Sequence, residues 1–256
     1  AASKWHYLYG PKKSVSITIR LIIGRGWGQG PTHSQSLHSW FNHIPGLKIV
    51  MPTFPSDAEV LLQESIKDPN PVIFIEHRWL HGISEKIKNK DKKIKIGKAK
   101  VCIKGNDVTI IASSYLTLEA IEASKYLKKN FKINCEIIDL RTIKPLDIKT
   151  ILKSVKKTRR VLILDSGHET GSIANDIMRH IISKQFKNLK IAPQILAMPN
   201  VPQPASQALI KNFFKSAKDI ALEILKIMKR KKTKDISKNF FIKNHDQPNE
   251  TFKGPF

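Results

Sequence analysis

An imidazole on a glycine-rich loop is the most reaction-like arrangement in this chain: Gly24, Gly26, Gly28 and Gly30 alternate with other residues, and His33-Ser34-Gln35 follows directly. Imidazole gives and takes a proton near neutral pH, so a histidine presented this way suits general acid–base work on carboxylate, enolate or thiolate groups. Taken alone, His33 would more readily anchor the loop or cap a helix with Ser34. The glycines exclude a packed helix, because Gly costs roughly 1 kcal/mol against Ala there; they read as backbone clearance and not as a phosphate cradle. A second polar passage, Asp165-Ser166-Gly167-His168-Glu169-Thr170-Gly171, lies between an apolar strand and a helix, where α/β proteins commonly bind ligands. A third is Ser65, Ile66, Asp68 and Asn70, at the end of a helix broken by Pro69 and Pro71. Carbonyls freed there can turn toward a hard cation, or Asp68 and Asn70 can form a side-chain turn at the helix C-cap. Arg141 and Asp147 read as structural ties at a strand-to-helix junction, Glu76 and His77 as weaker candidates at a strand end, and His38 and His43 as surface or interface residues.

The elements around these residues follow from periodicity. Val15 to Ile23 is β-branched and nearly continuously apolar, as a strand covered on both faces must be, and it feeds the glycine loop. Trp40, Phe41 and Ile44 sit at helical spacing before Pro45-Gly46, and Leu47 to Met51 reads as a short buried strand. Ser56-Asp57-Ala58-Glu59 has the form of a capping box opening a helix with a core stripe of Ala58, Leu61, Leu62 and Ile66. Val72–Ile75 is another buried strand. Residues 83–106 are charged with isolated isoleucines and predict a solvated connector. Beyond it strands and helices alternate: strands at 108–112, 133–139, 161–164 and 191–197, helices at 117–130, 146–155, 171–184 and 217–228. That alternation predicts a second parallel α/β domain. Residues 231–256 form a basic, irregular tail, in which Phe240-Phe241-Ile242 and Phe252 to Phe256 could dock on a neighbour.

The chain has 256 residues, 41% hydrophobic, enough for one large or two modest domains. Lys and Arg exceed Asp and Glu by 45 to 21, a net charge of +24. The excess is mostly lysine scattered through every segment, which reads as solvated surface and predicts no nucleic-acid partner, since such readers concentrate charge on one face or interleave it with aromatics. Cys102 and Cys135 are far apart, suggest no disulfide framework or zinc site, and fit a reducing compartment. No apolar run approaches the ~20 residues of a membrane span.

Gly30-x-x-His33-Ser34-Gln35, Ile44-Pro45-Gly46-Leu47-Lys48-Ile49-Val50-x-Pro52, Asp57-Ala58, Ile66-x-Asp68-x-Asn70-Pro71-Val72 and Glu76 fall in one order with spacings that resemble a known family. It is the β subunit of thiamine-diphosphate-dependent 2-oxo acid dehydrogenases, the E1 component of the pyruvate or branched-chain type. The resemblance continues to about residue 228 through Lys95-Ile96-Gly97-Lys98-Ala99, Asp139-Leu140-Arg141-Thr142-Ile143-x-Pro145-x-Asp147 and Val201-Pro202-x-Pro204. It implies an α/β fold: the remainder of a pyrimidine-binding parallel-sheet domain over 1–82, a linker over 83–106, a transketolase C-terminal-type domain over 107–230, and the tail. It implies oxidative decarboxylation of a 2-oxo acid in an α2β2 tetramer, built with an α subunit and a second β subunit, and acyl transfer to a lipoylated acyltransferase E2. His33 would line the cofactor's reactive end and assist acyl transfer, while the α subunit holds the diphosphate and its Mg²⁺. A structural K⁺ is implied at Ser65, Ile66, Asp68 and Asn70 with Ile17, and the second domain would organise the subunit interface. The family's first segment, with the Glu that activates the cofactor, has no counterpart here. The chain is therefore expected to be incomplete at its N-terminus, inactive alone, and cytoplasmic, or in the mitochondrial matrix if eukaryotic. A transketolase-like or acetoin-cleaving enzyme subunit and a non-catalytic assembly module share this architecture.

Overall fold

Apolar β-branched runs form the strands, and burial on both faces is what such runs require. The computed structural model describes residues 1–10, 12–86, 94–211, 213–231, 236, 240 and 247–248. In chain order the first half contains α1 (Trp5–Tyr9), β1 (Thr18–Ile23), α2 (Gly30–His33), α3 (His38–His43), β2 (Lys48–Val50), α4 (Pro55–Lys67) and β3 (Val72–His77). The second contains β4 (Lys100–Ile103), β5 (Val108–Ala112), α5 (Tyr115–Phe131), β6 (Cys135–Asp139), β7 (Thr142–Lys144), α6 (Ile148–Thr158), β8 (Val161–His168), α7 (Ile173–Gln185), β9 (Gln194–Met198), α8 (Gln207–Ile210) and α9 (Ala217–Ile227).

Among the described residues the strands form two sheets, ordered β1-β3-β2-β7 and β4-β6-β5-β8-β9. The strands of the first half run parallel, with Ile23 beside His77, so the ends of β1 and β3 open at one edge. The short β7, contributed by the second half, closes the opposite side antiparallel to β2, with Val50 opposite Thr142. In the second sheet only the edge strand β4 is antiparallel. One apolar core spans both sheets: Ile23, Ile49, Ile73, Ile75 and Ile143 of the first pack in the same cluster as Ile111, Ile138 and Ile163 of the second. Each such side chain contributes about 1.5–3 kcal/mol when fully buried. The other face of the second sheet is covered by α5 and α9, through Leu127, Ile220 and Ile224.

A buried ion pair joins the halves. Asp57 on α4, fully buried, accepts two hydrogen bonds from the Arg141 guanidinium (2.9 and 2.6 Å) and one from Lys100 Nζ (3.1 Å). Asp147 caps α6, accepting the Thr150 N–H at 3.1 Å.

Four expectations change. Helix α4 starts at Pro55 with Phe54 as its N-cap, so the Ser56 to Glu59 pattern forms no capping box; a proline one residue earlier already suits the first helical position. With that start the buried face is Asp57, Leu61 and Ser65, and Ile66 is exposed. The charged stretch 83–106 is not a solvated connector throughout: Ile94 packs against Val50, Leu61 and Phe74, and Lys100–Ile103 is a strand. Isolated isoleucines among lysines are the pattern of an edge strand wet on one side. Its residues 87–93 lie outside the described residues. Nor is the tail wholly apart, because Ile236 and Phe240 are buried in the second core, Phe240 with its ring centroid 4.8 Å from that of Tyr126. Phe241, Ile242 and Phe252 to Phe256 lie outside the described residues.

Candidate functional site at the edge of the first sheet

The His33 turn begins where β1 ends. Gly24 adopts φ +124°, and a Cβ there would sit 2.9 Å from Arg78 Cγ and 3.0 Å from the His77 ring, so only a hydrogen fits. Gly30 adopts φ +61° and places the turn against the second half, 3.2 Å from Ala205 Cβ to where its own Cβ would stand. Between these glycines and α3, the single helical turn of α2 presents His33 at its last position, exposed to solvent. Arg78 fixes this turn from below, donating from Nη1 to Gln29 Oε1 and from Nη2 to the His33 carbonyl at 3.1 Å. Gln35 closes it by donating to the Pro31 carbonyl at 2.7 Å.

Behind the turn lies a small cavity of about 30 Å³ between the halves, whose lining includes Gly24, Ser34, His77, Tyr115, Asp165 and Ser166. His77 is buried and neutral: burial, reinforced by the charges of Arg25, Arg78 and His81, holds it well below the ordinary histidine value. Its Nδ1 accepts the Trp79 N–H at 3.2 Å, and its ring stacks on Tyr115 at 5.0 Å. Burial also pushes the Tyr115 phenol and the Glu119 carboxyl upward, and Glu119 accepts the Ala217 N–H at 2.6 Å. The Arg25 guanidinium lies 4.8 Å from the Trp79 ring centroid and 4.1 Å from that of Phe214, so aromatic faces from both halves meet one cation.

His38 is not a surface residue. It is 1% exposed, and its Nε2 lies 2.7 Å from Asp165 Oδ1, across the boundary between the halves. Helix α3 turns this imidazole inward and Trp40 outward, the reverse of what apolar spacing predicts. No local signal could have shown this, because the residue that draws His38 in is 127 positions away. The Asp165–Gly171 passage thus joins the His33 region, whereas Glu76 stays outside and forms a cross-strand pair with Arg20 at 2.7 and 3.0 Å.

The cation candidates form a separate group at the far end of α4. Ser16 Oγ donates to the Asp68 carbonyl at 2.8 Å, and the Val72 N–H donates to the Ile17 carbonyl at 2.9 Å, which brings Ile17 beside this helix end. Asp68 forms the side-chain turn, accepting the Asn70 N–H at 2.9 Å, and pairs with the Lys48 ammonium.

Two halves with these sheets, joined over a shared core and carrying a polar turn at the strand ends, define a transketolase-like protein. Family models for the pyrimidine-binding domain of transketolase and for its C-terminal domain match residues 2–82 and 97–220. The chain is 37% identical over 228 residues to the β subunit of acetoin:2,6-dichlorophenolindophenol oxidoreductase from Cupriavidus necator, covering 89% of this chain and 67% of that one. Pyruvate dehydrogenase E1 β subunits are similarly near: 37% over 227 residues in Rickettsia bellii, and 35% over 234 residues in the mitochondrial protein of Chaetomium thermophilum, each covering 89% of this chain. The chain spans 70% of the first of these and 61% of the second. A solved split-gene transketolase, an inactive β4 tetramer, shares the fold with a TM-score of 0.70 at 20% identity, over 84% of this chain and 68% of that one. The chain belongs to the family of thiamine-diphosphate-dependent 2-oxo acid dehydrogenase E1 β subunits.

Proposed function

We propose that this chain works as the β subunit of an E1 enzyme that decarboxylates a 2-oxo acid and transfers the acyl unit to a lipoyl group on an E2 acyltransferase. It pairs with an α subunit and a second β subunit in an α2β2 assembly. The observation that carries the reading is His33, an exposed imidazole held by Arg78 at the edge where the parallel strands β1 and β3 end. A second polypeptide meeting this edge would complete a cleft around it. The residues present fit one side of a thiamine-diphosphate site: a proton-handling side chain on a turn whose glycines allow close approach, backed by a neutral His77. When bound, thiamine diphosphate supplies the carbanion and the electron sink. His33 exchanges the proton needed as the acyl unit leaves for the lipoyl sulfur, and the α subunit holds the diphosphate and Mg²⁺. Residues 1–82 and 107–230 act as two units in this reading, in the cytoplasm or the mitochondrial matrix.

The test is His33→Ala in the chain co-assembled with its α subunit. Reductive acylation of a lipoyl domain is expected to fall by about 10²–10⁴-fold, the usual contribution of a positioned proton donor. Unchanged acylation would leave the chain an assembly module. The 37% identity to an acetoin-oxidoreductase β subunit favours acetoin cleavage as the second reading. Turnover of pyruvate, branched-chain 2-oxo acids and acetoin by the same assembly separates the two.

A potassium ion at the end of α4 is the structural part of the proposal. The hydrogen bonds that bring Ser16 and Ile17 beside the end of α4 support it; the Ile17, Ser65 and Asp68 carbonyls each accept one hydrogen bond here, so an ion would take their second lone pairs. Melting in KCl is expected several degrees above melting in choline chloride of equal strength; identical curves would make this a helix cap alone.

A further inference from the structure

His33 sits on a turn clamped at both ends by the second half of the chain. At one end Gly30 lies against Ala205. At the other, five residues beyond His33, the His38 Nε2 meets Asp165 Oδ1 at 2.7 Å with both side chains buried. Asp165 is oriented by its own loop, accepting the Gly167 N–H at 2.7 Å and a hydrogen bond from Ser172 Oγ, while Ser172 caps α7 through the Ala174 N–H at 2.9 Å. The acceptor is therefore fixed to a strand and a helix of the second sheet. The loop is also shaped around its guest: a Cβ on Gly167 would stand 3.3 Å from His38 Cε1 and 3.4 Å from the Ser36 carbonyl. A buried carboxylate left without its partner is strongly unfavourable, so this contact is held far more firmly than a surface pair would be.

We propose that His38 and Asp165 are positioning residues: their buried pair sets where His33 stands, so that the second domain, and not only the partner subunit, places the proton-handling imidazole. This extends the reading of His33 given above and rests on it. The pair is buried behind the turn, and its effect on the reaction is exerted through that turn.

The experiment uses the chain assembled with its α subunit, carrying Asp165→Asn, His38→Leu or His38→Gln. Amide exchange over residues 26–37 is expected to rise by at least about tenfold in Asp165→Asn and His38→Leu, the sign of a released local unit. In the same variants kcat for lipoyl acylation is expected to fall about tenfold or more, with KM for the 2-oxo acid nearly unchanged, because a misplaced group lowers turnover without weakening binding. His38→Gln, which keeps an N–H donor near the position of Nε2, is expected to restore most of both. Wild-type exchange over 26–37 in folded Asp165→Asn and His38→Leu variants overturns the proposal, as does equal loss of kcat in all three variants without change in exchange. His33→Ala run beside them separates the two readings. Full activity there removes the role given to His33, and the exchange over 26–37 still decides whether the pair holds the turn.

Discussion

Asp139 and Asp165 lie in neighbouring regions of the second sheet, both fully buried, and their electrostatics are opposite. Burial pushes the Asp139 carboxyl up to about 7, against smaller pulls from Thr53 and the Arg141 N–H. Asp165 meets the same burial, yet the charge and hydrogen bond of His38, with Ser172 and Gly167 N–H, hold it down at about 2. The Arg141 guanidinium is already engaged by Asp57 through Nε and Nη2. The contrast shows that burial sets no ionisation state by itself; the number of donors turned toward the oxygens does. It also shows two kinds of joint between the halves, one centred on Asp57 and Arg141, and one on His38 and Asp165 beside the His33 turn.

The strongest way to break the contrast is Asp57→Ala. It leaves Arg141 buried without its counterion, and an expected loss of about 3–5 kcal/mol would be read by urea unfolding. The freed guanidinium should then turn to Asp139 and lower its pKa, erasing the difference between the two aspartates. The next effect is in pH dependence. Asp139 is raised above its unfolded value, so its contribution to stability is fully present below pH ~4 and is lost as the pH rises toward about 7. Asp165 is depressed, so its contribution is present above pH ~4 and is lost as the pH falls toward about 2. Asp139→Asn should flatten the stability profile between the two values of Asp139 and leave the acid limb untouched; chemical denaturation across pH 2–8 measures both. The smallest effect belongs to His33→Ala, whose side chain is exposed: stability within about 0.5 kcal/mol of the parent is expected even as acylation falls.

The sequence showed the strands well because burial on both faces leaves a local mark. Val108–Ala112 was legible to the residue, and the family motifs located His33 within its turn. What stayed hidden was set by distant partners. Helix α3 has six residues, too few for periodicity to choose its inner face, and that face follows from Asp165. The capping pattern at Ser56 is a local match defeated by a proline one position earlier. Strand β7 is three residues long beside Pro145, and it exists because β2 offers it an edge. Lys100–Ile103 was masked by the lysines in and around it, which suit the rim of a sheet as well as a loop.

That short strand has a consequence for how the molecule comes apart. Because residues 142–144 complete the sheet that residues 18–77 begin, a protease nick between 83 and 99 severs the backbone without separating the products. Either fragment released from the other would expose unpaired backbone along β2 or leave β7 without a sheet, an invitation to self-association. Under native conditions the two pieces should therefore co-elute after cleavage and part only in denaturant.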